Sequence, residues 1–249
     1  MRAEVAKRRA GPGSPLSFIF VAVYVDMIGY GIVVPLLPFY AREHASGAVL
    51  VGLLGSLYAA AQFVGGPFLG GLSDRAGRRP ILLCPLGASL AYLLLGLADS
   101  LPLLVAAVAL AGLAGATLAT AQAYIADVTP HEDRARGLGL VGAAFGLGLV
   151  TGPALGGLLS LYSLEAPAFA AAALTLTNAV FGFFVLPESL QAGRRTRTPL
   201  PLLNPVSQLA GVLRMANIRG LLVVVFLLNL SFVGFRMYKM PPLRGCPRA

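Results

Sequence analysis

From Leu16 onward the chain is a succession of apolar runs, most of them about twenty residues long, and the gaps between them hold nearly all of its charge. A helix rises 1.5 Å per residue, so about 20 apolar residues cross the hydrocarbon of a bilayer. Six runs reach or approach that length: Leu16–Tyr40, Val49–Leu72, Ile81–Leu97, Leu103–Ala126, Leu138–Leu161 and Ala168–Leu186. A seventh, Leu221–Phe235, is shorter than a usual span. Charged residues make up 12% of the chain and hydrophobic residues 57%, about half the charge usual in a soluble domain. The fold class that follows is all-α and polytopic, with the bilayer as the first partner. Five segments are expected: a basic N-terminus over 1–15, a six-helix bundle over 16–189, a polar connector over 190–220, a partial seventh helix over 221–235 and an aberrant tail over 236–249.

The placement of Lys and Arg sets the orientation. Alternate gaps collect Arg2, Lys7, Arg8 and Arg9, then Arg75, Arg78 and Arg79, then Arg134 and Arg136, and finally Arg194, Arg195, Arg197, Arg214 and Arg219. The remaining loops of the six-span unit hold Arg42 alone. The positive-inside bias therefore puts the N-terminus and the connector in the cytoplasm of a cell whose plasma (inner) membrane holds the bundle. Arg236, Lys239, Arg244 and Arg248 break the pattern after a seventh span, so the tail reads as the product of a truncated or shifted frame. The net charge of +9 is a topology signal, since no basic stripe is interleaved with aromatics, and nucleic acid is not expected as a partner.

The sequence also repeats itself. Gly66-Pro67-Phe68-Leu69-Gly70-Gly71-Leu72 in the second run returns 86 residues later as Gly152-Pro153-Ala154-Leu155-Gly156-Gly157-Leu158 in the fifth. Those runs cross in opposite directions, so the pattern is an inverted three-plus-three repeat, a common plan of secondary transporters.

The gap after the second run is Gly70-Gly71-Leu72-Ser73-Asp74-Arg75-Ala76-Gly77-Arg78-Arg79-Pro80. It reads as a short cytoplasmic loop. Gly77 suits a tight turn, Pro80 suits the first position of the next helix, and Asp74 can cap that helix or pair with a neighbouring arginine. The pattern of Gly70, Asp74, Arg75, Gly77, Arg78 and Arg79 resembles the signature loop between helices 2 and 3 of the major facilitator superfamily of transporters. That resemblance implies a conformational latch for these residues. In the fifth run, Gly148, Gly152, Pro153, Gly156 and Gly157 make a small-residue face for close helix contact, and the set is similar to the superfamily's antiporter motif. The stretches Leu57-Tyr58, Gln62-Phe63, Tyr124–Asp127 and Pro187–Ser189 look most like members of the tetracycline-efflux type.

Asp26 is the only ionisable carboxylate deep in the first run. Such a group is costly in hydrocarbon and is a functional candidate by default; the alternative is a structural role, satisfied by Tyr24, Tyr58 or Gln62. The resemblance makes it the proton-coupling candidate. Tyr30, Tyr58, Gln62, Gln122, Phe145 and Asn178 are candidates for the substrate cavity. Gly29 and Gly31 permit close helix approach, while Pro35 and Pro38 can bend the first helix. Members of the tetracycline type carry an acidic residue in the third span where this chain has Ala91. Many proton-coupled members carry an arginine in the fourth, where it has Val108.

His44 and His131 fall in loops on opposite faces, and Cys84 and Cys246 form no framework. Neither a metal site nor a cofactor is expected, and the absence of a nucleophile–base pair or phosphate loop argues against an enzyme. The function expected from the resemblance is proton-coupled efflux of drugs or small organic molecules, with uptake of a metabolite or a non-transporting membrane protein as alternatives. The superfamily has two six-helix halves, so the partner that completes the chain is a missing C-terminal half or a second copy.

Overall fold

In the computed structural model the described residues are 15–43, 48–76, 83–115, 117–185, 211, 213–215, 219–228 and 231. Two units divide the chain, Met1–Leu200 and Pro201–Ala249. The first contains α1 (Pro15–Val33), α2 (Leu37–Glu43), α3 (Ala48–Ala76), α4 (Leu83–Gly96), α5 (Leu101–Ala114), α6 (Thr117–Val128), α7 (Arg134–Leu159) and α8 (Ala166–Val185). The second contains α9, a short apolar helix over Arg219–Leu228.

Five stretches of the first unit are long and apolar enough to cross a membrane, and α4 with α9 supplies two shorter apolar helices. The spans differ from the sequence reading in three places. The first is broken by a 3-10 turn, Val34–Leu36, because Pro35 removes an N–H from the helix ladder. The fourth is two helices separated at Gly115. The third correction concerns the charged stretch after the second span. Helix α3 continues through Gly70, Asp74 and Arg75 to Ala76, so this part of the expected loop is helical. No breaker stronger than glycine stands before Gly77, and a helix leaving the bilayer has no reason to stop at its first charge. Gly77, Arg78, Arg79 and Pro80 lie outside the described residues.

Helix α1 is the centre of the bundle: 56% of its most apolar stretch is buried, against 11% for the second span. The largest helix contacts are α1 with α7, α4 with α8, α3 with α5, α4 with α5, and α1 with α8. Exchange the first three spans for the last three and this set maps onto itself. The crossing of spans 1 and 5 becomes that of spans 4 and 2, spans 3 and 4 become 6 and 1, and the pair 3 and 6 is unchanged. The contacts therefore follow the inverted repeat seen in the sequence.

Two backbone-close crossings anchor this arrangement. Gly31 and Gly152 meet back to back: a Cβ on Gly152 would lie 2.7 Å from the Gly31 Cα and 2.8 Å from the Ile28 carbonyl oxygen. Gly148 faces Met27, and Gly156 faces the Ile32 carbonyl. The antiporter-like face is thus the seat of α1, apart from Gly157, which has open space beside it. The crossing of α3 with α5 is built alike, with Gly65 against Leu113 and Gly112 against the Tyr58 carbonyl and Ala61.

Polar side chains tie the remaining contacts. Asn178 Nδ2 donates to the Ala22 carbonyl (2.8 Å) and joins α8 to α1. Ser89 Oγ donates to the Ala172 carbonyl (2.9 Å) and joins α4 to α8. At the ends of the spans, Tyr40 Oη donates to the Leu164 carbonyl (3.0 Å). Ser163 Oγ accepts the Ala166 N–H (3.1 Å), capping α8, and the Ser163 side chain also holds the exposed Glu165 carboxyl below its usual range.

Arg134 closes the other end of the fourth span. Its Nη2 donates to the Ala126 carbonyl (2.9 Å) and its Nε reaches the Thr129 carbonyl (3.4 Å). Helix C-termini leave their last carbonyls unsatisfied and carry partial negative charge, so a cation there stabilises by about 0.3–1 kcal/mol. Arg134→Gln is expected to speed amide exchange over Ala126–Thr129 and leave the distant α8 amides unchanged. Equal exchange at both places in the variant would show that the cap contributes nothing.

Candidate functional site

Asp26 sits on the fourth turn of α1 and is 7% exposed. Its Oδ1 has no hydrogen-bond partner. No lysine or arginine is buried among the described residues.

Tyr30, Tyr58 and Tyr92 border a small cavity with room for about one water molecule. The Tyr30 and Tyr58 rings face each other with centroids 5.9 Å apart at 45°. Tyr92, Ala91 and Leu95 come from α4, Ala107, Val108 and Ala111 from α5, and Val33, Val34 and Leu37 from the broken end of the first span. The wall has three phenols and no charge. Ala91 and Val108, the two places where the chain departs from the expected acid and base, are both on it. An acid and an arginine placed there would face one cavity.

The other cavity candidates fall elsewhere. Gln62 is exposed on α3, and its Nε2 donates to the Gly115 carbonyl (2.8 Å). Asn178 is occupied by Ala22, as above. Phe145 packs against the cluster of Ile19, Val23, Met27, Ala121, Tyr124 and Ile125. Gln122 is exposed on α6. Of the loop residues, Gly70 is half-buried on α3. Asp74 and Arg75 belong to the last turn of α3. The described residues contain no cluster of His, Cys, Asp and Glu able to hold a metal ion.

Sequence reasoning missed Tyr92 and the interruption at Gly115. Tyr92 carried a signal, because it adjoins Ala91, a position already marked as unusual. The interruption follows two glycines, Gly112 and Gly115, in a fourth run that otherwise reads as continuous.

Comparison with known proteins agrees with this geometry. The chain is 44% identical to the class C tetracycline resistance protein of Escherichia coli over 219 residues, which is 86% of this chain and 55% of that protein. It is 35% identical to multidrug resistance protein 2 of Bacillus subtilis over 176 residues, 70% of this chain and 44% of that one. The crystal structure of the human organic anion transporter MFSD10 (TETRAN) superposes with a TM-score of 0.68 at 26% identity, covering 80% of this chain and 55% of that one. The chain spans about half the length of the relatives it matches. The model of the Major Facilitator Superfamily matches residues 19–241, and with an inverted-repeat bundle of the same kind, the chain belongs to that superfamily of membrane transporters.

Proposed function

We propose that this chain forms one half of a proton-coupled exporter of drugs or small organic molecules in the plasma membrane, with Asp26 as the proton-linked group. The observation that carries the reading is the buried Asp26 carboxyl in the first span, with one oxygen unpartnered. A carboxyl so placed binds and releases a proton as the cavity changes its exposure to water, which is the requirement for coupling. The tyrosine faces and apolar walls suit aromatic and apolar parts of a substrate. Ala91 and Val108 leave no acid–base pair to engage a charged one, so the class proposed is small organic drugs rather than tetracycline itself. A second half, or a second copy, completes the cavity, and the Gly70–Arg79 segment serves as the conformational latch.

Everted membrane vesicles test the direction and the coupling together. With the transporter present at relatives' full length and carrying this half, a drug added to vesicles holding a pH gradient is expected to dissipate the gradient and accumulate inside. Substrate accumulation by intact cells, with no proton movement on adding drugs to everted vesicles, would favour metabolite uptake and overturn the export reading.

Orientation is testable by itself. A cysteine placed at Ser163, in the turn before α8, is expected to react with an impermeant maleimide added to intact cells. One placed at Ser73 is expected to react only after the membrane is opened. Labelling at Ser73 from outside would invert the layout.

A further inference from the structure

Helices α1 and α8 meet along two matched stripes. On α1 the stripe is Ala22, Asp26 and Gly29, and on α8 it is Ala171, Thr175 and Asn178. Each has the i, i+4, i+7 spacing of one helix face. Two contacts at the ends fix an antiparallel register. Asn178 Nδ2 donates to the Ala22 carbonyl at 2.8 Å, and a Cβ on Gly29 would lie 2.9 Å from Thr175 Cγ2 and 3.9 Å from the Ala171 carbonyl oxygen. Asp26 stands between these contacts, level with Thr175 and Asn178.

The hydroxyls at this junction are committed elsewhere. Thr175 Oγ1 donates back into its own helix, to the carbonyls of Ala171 (2.8 Å) and Ala172 (3.1 Å). Ser89 Oγ donates to the same Ala172 carbonyl (2.9 Å). Asn178 is different, because an amide nitrogen carries two hydrogens and Ala22 takes one. Its acceptor is also one that can spare it: within α1 the Ala22 carbonyl receives the Asp26 N–H. That shared oxygen puts Asn178 Nδ2 two hydrogen-bond lengths, about 6 Å at most, from the Asp26 backbone nitrogen.

We infer that Asn178 is the hydrogen-bonding partner of the Asp26 carboxylate: when the carboxyl loses its proton, the amide turns an N–H from the Ala22 carbonyl to the carboxylate. The inference rests on the proposed proton-linked role of Asp26. Asp26 Oδ1 is buried without a partner, a deficit far more costly to a carboxylate than to a neutral carboxyl. The exchange strands no group, since Ala22 keeps its bond within the helix. An amide also brings no charge to be compensated when the proton returns. Around this turn the other titratable groups are phenols: Tyr24 and Tyr30 on α1, Tyr58 on α3, Tyr92 on α4 and Tyr124 on α6. These stay neutral where a carboxyl titrates. Helix α8 has none, and Asp127, Arg134 and Arg136 lie in terminal turns of α6 and α7. Each proton released by Asp26 thus breaks one bond between α8 and α1, and each proton taken up remakes it.

An acid–base infrared difference spectrum of the 249-residue chain in lipid nanodiscs tests this without a transport assay. The chain has four asparagines, Asn178, Asn204, Asn217 and Asn229, and a carbon-13 label at their side-chain carbonyls separates those bands from the other amides. Nitrogen and carbonyl are conjugated in an amide, so a new partner for the N–H shifts the C=O band. One labelled band is expected to shift together with the Asp26 carboxyl band, at the same midpoint, and both are expected to vanish in Asp26→Leu. The shift is expected to persist when Asn204, Asn217 and Asn229 are replaced by serine, which assigns it to residue 178 without altering α1 or α8. An Asp26 band with no asparagine shift beside it would overturn the inference and leave the proposed function standing. An asparagine shift that survives Asp26→Leu would overturn it as well. A phenol band in its place, lost in Tyr92→Phe, would give the role to the tyrosine. No Asp26 band at any pH would sink the proton-linked role and this inference together.

Discussion

Asp26→Asn is expected to abolish export driven by a pH gradient while the protein reaches the membrane at an undiminished level. The amide has the shape of the carboxyl and its hydrogen-bonding capacity, so the contacts around residue 26 persist. It lacks a proton to exchange. Removing an acidic group from the centre of a span also relieves an insertion cost of about 2.5–3.5 kcal/mol. Abundance is therefore expected to stay level or rise, and any loss of activity belongs to the chemistry. The measurement is drug-induced collapse of the pH gradient in everted vesicles, with membrane level checked by immunoblot, in a transporter of relatives' full length that carries this half. Full activity in the Asn variant would reduce Asp26 to a structural polar group.

Gly152→Ala is expected to be strongly damaging for the addition of a single methyl group. Exchanging glycine for alanine in a helix gains about 1 kcal/mol of propensity. Against that, the added Cβ would lie 2.7 and 2.8 Å from backbone atoms of Gly31 and Ile28, and backbone at the core of a helix crossing has nowhere to go. Overpacking of this kind costs about 1–3 kcal/mol, so the net effect is destabilising, and Gly152→Val is expected to prevent accumulation. Gly157→Ala is the control. It lies one turn further along α7 with open space beside it, and the propensity gain is expected to stand unopposed. Thermal unfolding in detergent reads both, as a lower midpoint for Gly152→Ala and an equal or higher one for Gly157→Ala. Equal midpoints in the two variants would refute the crossing as drawn.

The spans were legible because the bilayer fixes their length and forbids charge within them, and the repeat was legible because Gly-Pro-x-x-Gly-Gly is rare and occurs twice. The interior of the site was not. In water, the period of a helix separates its buried face from its solvated one. In lipid both faces are apolar, so Phe145 and Asn178 carry no mark that distinguishes a cavity wall from a packed contact. Tyr30 and Tyr58 met because spans 1 and 2 bring them together, and no spacing within either span encodes that. The extension of α3 past Leu72 was hidden by the assumption that a helix ends where hydrophobicity does. The turn at Gly115 was hidden because its stabilising partner, Gln62, is 53 residues away.

The two kinds of helix contact in this bundle differ in how they resist sliding. Where α1 lies on α7, backbone meets backbone at Gly31 and Gly152, and the Met27 side chain stands over Gly148. Where α4 lies on α8, Phe169 fills the space over Gly96 and the Ser89 bond fixes the register. Sliding α4 along α8 would therefore break a buried hydrogen bond as well as a packed contact.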